Sequence, residues 1–212
     1  MIYNDMKQYK LYVFDLDNTL YDEECFLIQA YKNISQRLSH INQSISSDEY
    51  FLYLVKHFEK KGRKYLFDYL IHDFNLDSTI SVDQLKNILY RSANTARLEL
   101  YTWVKPCFNM LLEQNKQIAI LTNGCIEQQT NKIRNLGLDQ LYPSIFIYYA
   151  DQFRHSKPDP KGLNNIINTH QVMNNEVLMI GDHQVDRMCA NNANVDFIHV
   201  SNFSTQKFSN IN

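Results

Sequence analysis

The 212-residue chain predicts an α/β fold, a Rossmann-like parallel sheet core carrying an inserted α-helical domain. Three observations carry this reading. Short apolar runs at Leu11–Phe14, Ile118–Leu121, Ile145–Tyr149, Val177–Ile180 and Phe197–Val200 have the length and composition of buried strands. From Tyr101 onward these runs alternate with helical stretches, which calls for β-α-β units and a parallel sheet covered on both faces. Between the first and second runs, roughly Asp22 to Arg97, the chain is rich in Tyr, Phe, Leu and Ile, has no Pro, and has one Gly, at position 62. That block reads as an insertion after the first strand. Residues 1–20 and 101–212 are therefore assigned to the sheet core and 21–100 to the helical domain.

Within the insertion, apolar residues recur at helical spacing. Phe26, Ala30, Ile34 and Leu38 form one stripe, Phe51, Leu54, Val55 and Phe58 a second, and Leu66, Leu70 and Phe74 a third. Ser47 before Asp48-Glu49 and Ser81 before Asp83 read as helix starts. Gly62 is placed between the second and third of about four helices. Further on, Pro106 opens a helix running to about Gln114. Glu127 to Leu136 forms another, closed by Gly137. Lys161 to His170 and Gln184 to Asn192 are the last two. The tail from Ser201 is expected to be poorly ordered.

Composition narrows the function. A net charge of −2 gives no global basic field, so nucleic acid is not an expected partner. No apolar stretch approaches a membrane span, and Met1–Lys10 lacks the apolar centre of a signal peptide. Cys25, Cys107, Cys125 and Cys189 are far apart and form no C-x-x-C pair, which suits reduced thiols in a cytoplasmic protein. Oligomeric state is not legible.

The chemistry lies where the strands stop. The run ending at Phe14 meets Asp15 and Asp17, and i, i+2 spacing in extended chain points both acids the same way. The second run stops at Thr122-Asn123-Gly124, the fourth at Gly181-Asp182. Ligands of open parallel sheets sit beyond the carboxyl ends of the strands, where the winding reverses. If these three strands are neighbours, Asp15, Asp17, Thr122, Asp182 and Asp186 converge on one crevice. Lys157 reaches it from a loop stiffened by Pro158 and Pro160. Four carboxylates against one ammonium need more positive charge, and a hard dication with oxygen ligands, Mg²⁺, suits them.

This constellation resembles the haloacid dehalogenase-like superfamily of phosphohydrolases. Asp15-Leu16-Asp17-Asn18-Thr19 is similar to its D-x-D-x-T motif, Leu121-Thr122-Asn123-Gly124 to its second motif, and Lys157-Pro158 to its third. Gly181-Asp182-His183-Gln184-Val185-Asp186 resembles the fourth, and the inserted helices resemble a C1-type cap. The resemblance implies Asp15 as nucleophile, Asp17 as general acid and then base, and Thr122, Asn123 and Lys157 as phosphate-binding groups. It implies Asp15, Asp182 and the Asp17 backbone carbonyl as Mg²⁺ ligands, with Asp186 orienting water or Lys157 from behind. The expected activity is a Mg²⁺-dependent phosphatase acting on a small phosphate ester, a sugar phosphate or nucleoside monophosphate. The alternatives are a phosphomutase, a 2-haloacid dehalogenase, and a non-catalytic scaffold that kept the fold. Thr19 argues against the mutase and Asp17 against the dehalogenase. The substrate cannot be named, nor can the sequence say whether Arg63, Lys64 or His183 touches it. Asn194, where the family often carries Gly, is expected to accept a left-handed conformation.

Overall fold

The computed structural model describes residues 9–204. They form a five-stranded, all-parallel sheet in the order β3-β2-β1-β4-β5 together with a set of helices. The strands are β1 (Leu11–Phe14), β2 (Gln117–Thr122), β3 (Phe146–Tyr149), β4 (Val177–Gly181) and β5 (Asp196–His199). All five agree with the apolar runs to within a residue or two. The last is shifted, because Val200 opens a short helix, Val200–Ser204, in place of ending the strand. Of the tail expected to be poorly ordered, Ser201–Ser204 is thus helical, and 205–212 lie outside the described residues. So does most of the segment Met1–Lys10.

The sheet is central because β1 is buried on both sides. Leu11 and Val13 join Ala119, Leu121, Val177 and Met179 on one face. That face is covered by Leu163, Ile166 and Ile167 of helix Lys161–His170 and by Cys189 and Ala190 of helix Gln184–Asn192. On the other face, the Phe14 ring lies 5.0 Å from Phe108 and 5.8 Å from Phe203. Alternating apolar side chains of four residues thus feed two cores. β1 pairs with β2 through Phe14 opposite Ile120 and with β4 through Phe14 opposite Ile180, so three strands run in step and their ends lie side by side.

Contacts divide the chain into two compact units. One holds the sheet: residues up to Asp22, Glu99–Gln129, and from Leu136 onward. The other holds Glu23–Leu98 and Thr130–Asn135. In the second unit the chain forms helices Glu23–Ile41, Ser47–Lys61, Leu66–Asp73 and Val82–Arg91. The first stripe is fully buried as expected; in the second helix the buried positions are Tyr50 and Leu54, while Phe51, Val55 and Phe58 are half-buried. Its N-cap is Ser46, one residue before the Ser chosen from sequence, since Ser46 Oγ accepts from Glu49 N at 3.2 Å. Ser81 caps its helix as expected, in a reciprocal pairing with Gln84.

In the sheet unit the helix assigned to Pro106 starts earlier, at Val104, leaving Pro106 in the first turn where its missing N–H costs nothing. The next helix, Ile126–Asn135, belongs to the sheet unit up to Gln129 and to the other unit from Thr130; Gly137 follows it at φ 68° before an unanticipated short helix, Leu138–Leu141. Asn194 is left-handed, at φ 53°.

Candidate active site

Asp15 is the hub. Its backbone N–H donates to Ile180 O at 2.8 Å, tying the end of β1 to the end of β4. Its side chain is buried and held at both oxygens. Lys157 Nζ lies 2.5 Å from Oδ1, and Thr19 Oγ1 donates to Oδ2 at 3.2 Å. Thr19 can reach back because Asn18 adopts a left-handed conformation, φ 55°, which curls the loop. Lys157 is itself buried and lies 2.7 Å from Asp186 Oδ1, so one ammonium bridges two carboxylates.

The electrostatics follow from burial. Desolvation pushes the Asp15 carboxyl up; Lys157 pulls it down, and Asp186 and Asp17 raise it again. Burial opposes the charge on Lys157, but Asp15 and Asp186 outweigh it and hold the ammonium well above its ordinary range. Asp182 is also raised, by burial first and then by Asp186. Asp15, Asp182 and Asp186 each place a carboxylate oxygen within 4.8 Å of the others. Three carboxylates, two of them paired with a single ammonium, form an oxygen-only set with excess negative charge, which fits a hard dication. The Asp17 side chain is not part of this set, so any ligand from Asp17 is left to its backbone.

Asp186 depends on a glycine for its place. A Cβ on Gly181 would meet Asp186 Oδ2 at 2.5 Å, closer than atoms pack, so no other residue fits there unless Asp186 moves. The same oxygen is fixed by the helix start, where Asp186 Oδ2 accepts from His183 N at 3.1 Å. His183 completes the cap, its Nδ1 accepting from Val185 N at 3.2 Å. It serves the helix. His199 Nε2 lies 2.8 Å from the Asp182 backbone oxygen, fixing the residue from β5.

Sequence reading named Asn123 without the role of its side chain, and it did not name Gln129. Asn123, expected on phosphate, spends its side chain on the Lys157 backbone: Nδ2 donates to Lys157 O at 3.1 Å and Oδ1 accepts from Lys157 N at 2.9 Å. Gln129 is buried, and its amide nitrogen lies 2.5 Å from Thr122 Oγ1 and 2.8 Å from Asp17 Oδ2. Neither was visible as such. An Asn in a T-N-G turn and a Gln on a polar helix carry no distinctive signal until the fold brings their partners near. Gly124, at φ 107°, makes the turn between them, in a region that side chains strain to enter.

The basic pair of the helical unit resolves differently. Arg63 forms an ion pair with buried Glu23, which also accepts from buried Lys132 Nζ at 3.2 Å. Lys132 sits 4.4 Å from the centre of the Phe26 ring, and Lys64 lies over Tyr65. Among the described residues no helix is long and apolar enough to cross a membrane.

A parallel sheet whose central strand ends in a buried, lysine-bridged aspartate marks an α/β protein with a candidate active site, and sequence comparison gives its family. The chain belongs to the haloacid dehalogenase-like hydrolase family, which it matches over residues 12–200. It is 27% identical over 191 residues to a phosphoglycolate phosphatase of Vibrio parahaemolyticus, covering 87% of this chain and 80% of that protein. To a glyceraldehyde 3-phosphate phosphatase of Pyrococcus furiosus it is 25% identical over 179 residues, 84% of this chain and 74% of that one. Among solved structures, a haloacid dehalogenase-like hydrolase from Bacteroides fragilis superposes with a TM-score of 0.59 at 26% identity, covering 89% and 86% of the two chains. A Thermotoga maritima protein assigned as a β-phosphoglucomutase shares the fold, with a TM-score of 0.68 at 17% identity over 88% and 82%.

Proposed function

We propose that this protein is a Mg²⁺-dependent phosphatase of small phosphate monoesters. One observation carries the reading: a buried aspartate, Asp15, held at one oxygen by Lys157 and at the other by Thr19, beside two further carboxylates. An oriented carboxylate whose charge is balanced by an ammonium is a nucleophile, and the named activities of the Vibrio and Pyrococcus relatives agree with that chemistry.

In the first step an Asp15 oxygen attacks phosphorus and the bond from phosphorus to the ester oxygen breaks. Asp17 gives its proton to the departing oxygen, releasing the alcohol and leaving an aspartyl-phosphate. In the second step water attacks phosphorus, Asp17 takes one of its protons, and the bond to Asp15 breaks. Inorganic phosphate leaves, and both aspartates return to their starting states. Thr122, the backbone around Asn123 and Lys157 bind the phosphoryl oxygens. Asp15, Asp182 and the Asp17 carbonyl hold Mg²⁺, which when bound supplies the positive charge that a phosphate dianion and three crowded carboxylates require. Asp186 fixes Lys157 from behind. The helical unit acts as a C1-type cap that limits substrates to small metabolites, and the site of action is the cytoplasm.

Phosphate release tests this. The panel comprises 2-phosphoglycolate, glyceraldehyde 3-phosphate, sugar phosphates and nucleoside monophosphates, with and without Mg²⁺, beside Asp15→Asn. Metal-dependent release from a few members, abolished in the variant, is expected. Equal signals from both proteins would refute the reading, and transfer of phosphate within a sugar without its release would turn it to a mutase.

A further inference from the structure

The carboxylate of Asp17 is gripped at both oxygens by uncharged donors. Tyr21 Oη donates to Oδ1 at 2.5 Å, and Gln129 Nε2 donates to Oδ2 at 2.8 Å. Both donors are almost fully buried. They lie 4 and 112 residues from Asp17 along the chain. Tyr21 is fixed by its backbone, bridging to Asp17 on one side and Leu100 on the other. Gln129 is fixed by its amide. Its nitrogen faces three acceptors, Asp17 Oδ2, Thr122 Oγ1 and the Asn123 carbonyl oxygen at 2.9 Å, whereas its own Oε1 has no hydrogen-bond partner among the described residues. A flipped amide would set oxygen against a carboxylate and a carbonyl, so only one orientation is tolerable.

We propose that Gln129 and Tyr21 are positioning residues that hold the Asp17 carboxylate in place for proton transfer. The proposal rests on the phosphatase reading above. Neutral donors suit the task. A cation would pin Asp17 as its anion, whereas an amide and a phenol orient the group without adding charge, and a phenol accepts as readily as it donates. Neither residue touches the reacting atoms.

The test separates positioning from general damage. In the Mg²⁺-loaded protein, kcat/KM is measured for p-nitrophenyl phosphate, whose phenolate leaves with little help from an acid, and for 2-phosphoglycolate and glyceraldehyde 3-phosphate, whose alkoxides need a proton. Gln129→Met is expected to lower kcat/KM on the alkyl esters by roughly 10- to 100-fold, a fraction of what a general acid contributes. The aryl ester should lose less than about threefold. Tyr21→Phe, which keeps its buried ring, should shift the ratio the same way and guards against a misfolded Gln129 variant. Equal losses on both ester classes, or none, would overturn the proposal. Crystal structures of the two variants provide a readout independent of activity: the Asp17 carboxylate should leave its observed place, and an unmoved carboxylate in both overturns the proposal. If the wild type hydrolyses neither class, the phosphatase reading fails, and the position of Asp17 in those structures still decides whether the two residues hold it.

Discussion

The side chain of Asn123 closes two hydrogen bonds on the backbone of Lys157, 34 residues further along the chain, one to its N–H and one to its carbonyl. This latch joins the loop after β2 to the loop that carries the buried cation. Each bond is worth about 0.5–1.5 kcal/mol net. Asn123→Ala should therefore cost roughly 1–3 kcal/mol of stability and lower kcat/KM by an order of magnitude or more, because Lys157 loses its fixed approach to Asp15. Asn123→Asp keeps the acceptor and loses the donor, so it should fall between. Denaturant melts and steady-state kinetics on the three proteins check the order.

Lys157 bridges Asp15 and Asp186, and all three are buried. Lys157→Met should leave two buried carboxylates without their ammonium, at a cost of about 3–5 kcal/mol, and abolish turnover. A melt within 1 kcal/mol of wild type, an amount below that range, would show that the bridge contributes little.

Gly181→Ala forces a Cβ into Asp186, where the approach is 2.5 Å. Overpacking of this kind costs about 1–3 kcal/mol. Combining it with Asp186→Ala, which removes the obstructed carboxylate, should cost less than the sum of the two single changes. A double-mutant cycle measured by chemical denaturation gives the coupling, and strict additivity would show that the two sites are independent.

Mg²⁺ should raise the melting temperature, since a ligand at a hundredfold excess over its Kd adds about 2.7 kcal/mol to the folded state. Asp182→Asn should remove most of the shift. Burial raises Asp15 and Asp182, so these acids hold protons further up the pH scale than free carboxylates do. Protons then compete with the metal, and the Mg²⁺-induced shift should be smaller at acid than at alkaline pH. Differential scanning fluorimetry at both reads it.

His170 gives a pH dependence separate from the site. Burial lowers it from its ordinary value of 6.5; it packs on the Phe146 ring at 4.6 Å and its Nδ1 pairs with the Gln117 side chain. Because its folded value is depressed, the unfolded chain takes up the proton first, and stability should fall as pH drops below about 6.5. His170→Phe should flatten that part of the stability curve relative to wild type, as measured by urea melts at several pH values.

The sequence by itself determined the strands, the inserted helices and the principal acids. Runs such as Leu11–Phe14 are apolar because they are buried on both faces, and a run that stops at charged residues marks a strand end. Those are local properties, written in consecutive letters. Tertiary structure decided the partners. Asn123 reads as one more turn residue until the fold sets it against Lys157. Gln129 sits on a polar helix whose neighbours say nothing of Asp17, 112 positions away. Gly181 looks like a simple strand end until Asp186 fills the space beside it. The N-cap at Ser46 and the helix start at Val104 lie one and two residues before the Ser47 and Pro106 read from sequence, because helix ends are set by local hydrogen bonds that neighbouring residues also make. Chemistry carried by residue type and order was legible. Positioning by long-range hydrogen bonds was not, because amides are common and only the folded chain selects which of them meet.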